Sequence, residues 1–395
     1  MLLTLIVFLV ILSILVLIHE AGHFFTAKKF GIKVEEFGFG FPPRALGIKR
    51  GETVYSINWL PIGGFVKLYG EDEAGGGKLA LSNKQNAISN KDEGRAFYAR
   101  SVRQRAIVVV AGVVMNVILA IAIFYTFLFI SNFKTDFPLL TNHAFFGVHQ
   151  INKNLNETDA VVSAVLPGSP AEKAGMTTPF EILSVNGQKI TDRKNFIEFV
   201  NTHKGKEITI EWRDIKTEKT AVATVVPRVS PPKNEGALGV GFFPVAIVSY
   251  DTPVQRAFSG VIHTANVTVY TLDVFAKLFA ASVEQKSAAP VSEGVSGPVG
   301  IFSLIDAVLK LPGLKEKVLN VLNIAGLLSI SLAFFNVLPI PAVDGGRLFF
   351  ILAEGITGKK INPQIESTIH TIGMAVLMAL IALITFRDIA RLFTS

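Results

Sequence analysis

Apolar residues in this chain gather into four long runs separated by polar stretches. Leu2–Ile18 is broken only by Thr4 and Ser13, and its helical pattern continues to about Phe30. Ala106–Ile130 and Val318–Val343 carry no charge, and Ile369–Phe386 has His370 as its one titratable group. A hydrocarbon core of about 30 Å takes about 20 apolar residues per helix, so the pattern predicts four transmembrane helices. The first run lacks a basic leader and a small-residue cleavage site, and it leads directly into His19 and Glu20. It reads as a retained span, not a signal peptide.

Other segments follow shorter periods. Between Phe133 and Arg228 a polar stretch reads as a soluble domain, with strands at Glu207–Trp212 and Ala221–Val226. From Val254 to Phe279 the apolar positions recur with the helical period. Arg256, His263, Asp273 and Lys277 weigh against a fifth span there. An amphipathic helix on the membrane surface or against the soluble domain is expected. Gly38-Phe39-Gly40-Phe41 and Tyr55–Leu68, which contains Gly63 and Gly64, mix aromatic and β-branched residues with glycine turns. They read as short strands. Glu71–Gly94 is rich in glycine, asparagine and charge and reads as a loop.

Composition narrows the class. Of the 395 residues, 50% are apolar and 17% charged, against about 25% charged in soluble domains. Mean hydropathy is +0.46. A disordered or fibrous chain is excluded. With no cysteine, disulfides, thiol nucleophiles and Cys-ligated metals are excluded as well. The net charge of +7 is concentrated: Lys28–Arg105 holds 14 Lys/Arg against 8 Asp/Glu. By the positive-inside rule this segment faces the cytoplasm. The soluble domain then lies outside, Arg347, Lys359 and Lys360 lie inside, and both termini face outward. Arg387 and Arg391 point the other way. The charge is read as topology and lipid-bilayer contact, with no nucleic-acid partner.

The first run ends in His19-Glu20-Ala21-Gly22-His23. Histidines at i and i+4 share one helix face, so both rings can reach one Zn²⁺. Glu20 beside them can take a proton from water at the metal. A catalytic zinc takes three protein ligands and keeps one position open. His143, His149 and His203 fall in the outer domain, His263 on the amphipathic helix and His370 in the fourth run, where each reads as an ordinary polar side chain. Asp344 is the better third ligand, at the end of Asn336-Val337-Leu338-Pro339-Ile340-Pro341-Ala342-Val343-Asp344-Gly345-Gly346-Arg347. Two prolines break a helix near membrane depth, where broken backbone must line a cavity. The alternative for Asp344 is a turn residue capping the next helix.

These residues resemble the site-2 protease family of intramembrane zinc metalloproteases, most closely its bacterial regulator-of-sigma-E branch, over nearly the whole chain. The resemblance implies zinc held by His19, His23 and Asp344, with Glu20 as general base. It implies that Asn336, with Pro339 and Pro341, holds the substrate backbone, and that Gly38, Gly40, Gly63 and Gly64 belong to a membrane-associated β-hairpin that receives it by strand addition. Gly112 and Asn116 match part of the family's second-span motif, without its proline. Val165–Met176 and Ile182-Leu183-Ser184-Val185-Asn186-Gly187 resemble a PDZ domain, with Phe180-Glu181 where Gly-Asp is usual.

The implied fold is a polytopic α-helical membrane protein with four transmembrane helices, a membrane-associated β-hairpin region and one extracytoplasmic α+β PDZ domain. Its expected divisions are 1–30, first span; 31–105, cytoplasmic loop with the hairpin; 106–131, second span; 132–230, periplasmic PDZ domain. They continue as 231–315, amphipathic helical region; 316–346, third span; 347–367, cytoplasmic loop; 368–395, fourth span. The implied function is a zinc endopeptidase of the bacterial inner membrane. Its substrates would be single-span membrane proteins, such as an anti-sigma factor or remnant signal peptides, and peptide or unfolded-protein C-termini would bind the PDZ domain. A non-catalytic PDZ-bearing adaptor with a structural metal is the alternative.

Overall fold

The computed structural model describes residues 1–71, 93–140, 143–155, 159–166, 168–176, 178–215, 217–232, 235–287, 289–359 and 361–394. Two compact units are present. One comprises Met1–Phe127 with Leu278–Ser395, the other Leu128–Lys277.

The first unit begins with helix α1, Leu2–Lys29, whose buried residues Thr4, Ile11, Leu15, His19, Gly22, His23 and Ala27 recur every three to four positions. This is the stripe a helix turns towards its neighbours. Strands β1 (Val34–Arg50) and β2 (Thr53–Leu68) follow, joined at Gly51, which adopts φ 62°. Both strands double back, at Gly40 (φ 77°) and Gly63 (φ 80°). The start of β1 therefore lies between two parts of β2: Phe37 pairs with both Tyr55 and Val66, and Gly38 with both Ser56 and Phe65. The sequence showed short strands; glycine bends turn two long ones into a small sheet. Its root packs on the helices, with Val34 and Leu68 joining Ala27, Phe97, Val108, Val109 and Ile351 in one apolar cluster. Of the loop read at 71–94, residues 72–92 lie outside the described residues. Helix α2, Val102–Ile130, starts four residues before the expected 106; Arg105, in its first turn, is buried and ion-paired with Glu354, so the helix begins ahead of the uncharged run.

The second unit carries β3 (Lys134–Pro138), β4 (His149–Lys153), β5 (Val161–Val162), β6 (Ala164–Val165), helix α3 (Pro170–Lys173), β7 (Phe180–Val185), β8 (Gln188–Lys189), helix α4 (Arg193–Thr202), β9 (Ile208–Asp214), β10 (Thr220–Val225), β11 (Val240–Gly241) and β12 (Val245–Ser249). Strands order as β10-β9-β7-β5 with β8 on β7, as β3-β12-β4, and as β11-β6. The core is apolar: Phe180, Ile182, Val185, Phe196, Ile208, Ile210 and Trp212 are buried together. The expected Asn-Gly turn joins β7 to β8, with Asn186 at φ 49° and Gly187 at φ 77°. Pro167, part of the expected Pro-Gly turn, lies outside the described residues.

Region 231–315, expected to be helical, starts with strands. Val245–Val248 is a continuously buried run between two partner strands, and such a run has no helical period to show. The amphipathic segment forms α5 (Pro253–Ala257) and α6 (Ser259–Glu284). Its polar side packs inward. Asn266 exchanges two hydrogen bonds with the backbone of Phe146, at 2.9 and 3.0 Å, and Tyr270 donates to the Pro138 carbonyl at 2.6 Å. Phe258, Val261, Val269, Leu272 and Phe275 remain exposed.

The chain returns to the first unit through α7 (Ala289–Gly294) and α8 (Pro298–Lys310). Ile305 of α8 packs with Ile11 and Leu15 of α1. Helix α9, Leu314–Val337, ends nine residues before the expected 346, since Pro339 and Pro341 cannot continue it. The expected loop 347–367 is mostly helix: α10 runs Asp344–Thr357, closed by Gly358 at φ 67°. Helix α11, Pro363–Thr394, completes the unit. Among the described residues, four helices are long and apolar enough to cross a membrane: α1, α2, α9 and α11.

Candidate metal centre

Two segments 325 residues apart in sequence meet at this site. One turn of α1 brings His19 above His23. The break after Val337 brings Asp344 opposite them. Leu338 is extended, Ala342 takes φ 83°, and its N–H donates to His370 Nδ1 at 3.0 Å. Gly345 and Gly346 permit the fold-back: a Cβ on either would strike the carbonyl oxygen of Leu338 or Ile340. Asp344 is the first residue of α10 and Val343 holds the N-cap position, so Asp344 is not the helix cap of the turn-and-cap alternative.

Three ligand atoms converge. His19 Nε2 lies 2.9 Å from Asp344 Oδ2, His23 Nε2 lies 3.1 Å from the same oxygen, and the two Nε2 atoms are 3.2 Å apart. Both histidines are buried. His23 Nδ1 is 2.8 Å from the Val108 carbonyl; as Nδ1–H it donates there, which turns the Nε2 lone pair inward. Two ring nitrogens and a carboxylate oxygen facing one point form an electron-rich pocket. Ligand atoms about 2.0–2.2 Å from a tetrahedral zinc stand roughly 3.3–3.6 Å apart, so a small outward relaxation admits the ion. Among the described residues this is the one His/Cys/Asp/Glu group of metal-binding shape.

The site opens on a cavity of about 550 Å³. Glu20, His23 and Asp344 line it, with Phe65, Val66 and Leu68 from the end of β2 and His370, Met374 and Met378 from α11. Gly112 on α2 makes room for the rings: a Cβ there would come within 2.7 Å of His19 Cε1 and 2.8 Å of His23 Cε1. Gly22 on α1 abuts the Ala111 carbonyl in the same crossing.

The remaining expected site residues are spread more widely. Asn336 is half-buried on the last turn of α9 and makes no side-chain hydrogen bond among the described residues. Pro339 is exposed and Pro341 half-buried. Pro341 presses on Gly373 of α11. None of these three lines the cavity. Gly38 pairs with Phe65 and Gly64 with Phe39; Gly64 also abuts the Gly38 carbonyl and Val16 and Leu17 of α1, while Gly40 and Gly63 make the bends. The apolar residues after them, not the glycines, reach the cavity.

Three wall residues were not expected at the site. His370 was read as an ordinary polar group; its solitary position in an apolar run was the available signal. Arg347 and Glu71 form an ion pair at the cavity wall, a pairing across 276 positions that no local pattern shows. The other histidines have separate partners. His143 and His149 pair with Asp273 and Asp251, and His203 stacks on Phe199. His263 bonds Tyr250 Oη at 3.0 Å, and burial depresses its pKa to about 3.

The profile of peptidase family M50 matches residues 7–380. A protein named zinc metalloprotease RasP, from Shouchella clausii, is 30% identical, covering 99% of this chain and 100% of its own. The regulator of sigma-W protease RasP of Bacillus subtilis is 29% identical, covering 99% of both chains. A solved PDZ domain of an SdrC-like protein from Listeria monocytogenes is 16% identical and covers 23% of this chain and 88% of its own, with a TM-score of 0.18.

Proposed function

Because the chain belongs to peptidase family M50, we propose that this zinc metalloprotease cuts the transmembrane segments of single-span membrane proteins, with its chemistry at His19, Glu20, His23 and Asp344. The observation that carries the reading is the convergence of the three ligand atoms beside Glu20, on a cavity walled by apolar-run helices and a β-edge.

His19, His23 and Asp344 are the residues that would hold the zinc. When bound, zinc lowers the pKa of a water molecule to about 7 and polarises the scissile carbonyl. Glu20, on the turn between the two histidines, accepts the proton of the attacking water and returns it to the leaving amine. Asn336, on the last turn of α9 and without a side-chain hydrogen bond among the described residues, is the residue proposed to hold the substrate backbone as the chain approaches the cavity. A transmembrane helix satisfies its own backbone hydrogen bonds and resists attack until it is unwound. The Gly64–Leu68 edge offers replacement partners: it pairs with β1 on one side, and among the described residues no strand covers the other.

The protein is a multi-pass membrane protein of the inner membrane. Residues 28–105 face the cytoplasm, the unit between the second and third spans faces the periplasm, and both termini are periplasmic; the Lys/Arg excess of the first loop supports this orientation. Within the outer unit, the PDZ domain expected at 132–230 is proposed to run instead over about 159–242, since β3 and β4 pair with β12 in a separate sheet and β11 pairs with β6; it binds peptide or unfolded-protein C-termini, a reading supported by its small antiparallel sheet, its two helices and the Asn186-Gly187 turn. An anti-sigma factor and remnant signal peptides are the proposed substrates.

The test is cleavage of a panel of single-span proteins in detergent, with products mapped by mass spectrometry. Cuts inside the span, abolished by a zinc chelator and restored by zinc, are expected. Cuts confined to soluble flanking segments would overturn the reading.

A further inference from the structure

The zinc reading needs each histidine ring held with Nε2 turned towards the other ligands. For His23 the Val108 carbonyl does this. At the same ring position His19 meets the side-chain amide of Asn116 on α2, which is placed with Nδ2 3.1 Å from His19 Nδ1. Asn116 is fully buried. Its backbone carbonyl separately accepts a hydrogen bond from Ser329 Oγ at 2.8 Å. Among the described residues its Oδ1 has no partner, so His19 is the one group this amide touches through a hydrogen bond. A buried amide in an apolar span is costly, and here the return on that cost falls on one ring.

The two ends of a carboxamide have the same shape, and which is oxygen follows from the network. With Nδ2–H facing it, His19 Nδ1 must present a lone pair, so a neutral ring carries its proton on Nε2 and cannot use that atom as a ligand. A half-turn of the amide puts Oδ1 there instead. Oδ1 then accepts from Nδ1–H and leaves the Nε2 lone pair facing Asp344 and His23. We propose that Asn116 is a positioning residue of the metal site, its Oδ1 fixing the tautomer and orientation of His19. This rests on the zinc reading above and adds a part to it. It gives Gly112-x-x-x-Asn116 a joint meaning: one helix face supplies first the space for the rings and then, one turn on, the acceptor for one of them.

Outer hydrogen bonds of this kind change metal affinity about 10–100-fold when removed. The test uses the full chain in detergent, with zinc affinity measured by competition against a chromophoric chelator. Asn116→Leu and Asn116→Ala, which offer no acceptor, are expected to bind zinc about 10–100-fold more weakly. Asn116→Asp keeps an acceptor in place and is expected to restore affinity to within a few-fold of wild type. Wild-type affinity in Asn116→Leu or Asn116→Ala would overturn the proposal. So would equal weakening in Asn116→Asp, since packing alone would then explain the loss. Should Asn116→Leu fail to fold, the alanine and aspartate variants decide. A wild-type chain that binds no zinc would overturn the underlying reading together with the proposal, whereas zinc binding in wild type with no weakening in the acceptor-less variants overturns the proposal alone.

Discussion

His23 Nδ1 lies 2.8 Å from the carbonyl oxygen of Val108, tying a ring on the first span to the backbone of the second. One turn along, Gly112 stands against both imidazoles with no space for a methyl group. Helix propensity favours alanine over glycine by about 1 kcal/mol, so on a plain helix Gly112→Ala would stabilise. Here it is expected to push the rings apart and weaken zinc binding by about tenfold or more. Zinc titration alongside circular dichroism checks this. Unchanged affinity in a folded variant would contradict the crossing geometry.

Arg347 and Glu71 join α10 to the chain leaving β2, both largely withdrawn from solvent. Removing one partner strands the other, at a cost of about 1–3 kcal/mol. Arg347→Met and Glu71→Gln should each lower thermal stability, and the double variant should lose less than the two losses added together. Strict additivity in a double-mutant cycle would show that the pair is not coupled.

Glu52, near the β1–β2 turn, is bonded by Arg95 at 2.9 Å and by Lys28 at 2.6 Å. The Arg95 hydrogen bond, seconded by Lys28, lowers its pKa from 4.5 to about 2. A folded-state pKa below the unfolded one gives stability that is present above pH 4.5 and lost as pH falls towards 2. Trp59 lies in β2, so its fluorescence in a Trp212→Phe background reports on this sheet. Acidification through that window should loosen the sheet in wild type, and Glu52→Gln should remove that part of the pH dependence. An identical acid profile in Glu52→Gln would refute the assignment.

Much of this could be read from local pattern. The apolar runs fall largely within α1, α2, α9 and α11, because a span must be apolar through the hydrocarbon core. His19, Glu20 and His23 were legible because their relation is one helix turn. Asp344 was legible because two prolines and an aspartate at that depth need a cavity and a partner. What escaped has a common cause. The helix at Asp344–Thr357 lies after the proline break, where the apolar run has ended and its own period is short. The polar side of α6 is buried because Asn266 and Tyr270 find backbone partners at Phe146 and at Pro138, the end of β3, which hydrophobic periodicity cannot register. The Asn116–His19 and Arg347–Glu71 contacts join positions far apart in the chain, and only the folded backbone brings them together.

The central claim is that Glu20 moves the proton while His19, His23 and Asp344 hold the metal. The most direct measurement is cleavage of a single-span substrate by wild type and Glu20→Gln, with zinc determined on the same samples. The account predicts a fall in cleavage of about 10²–10⁴-fold, with zinc near one per chain in both proteins. Cleavage by Glu20→Gln at the wild-type rate, with zinc bound, would contradict it.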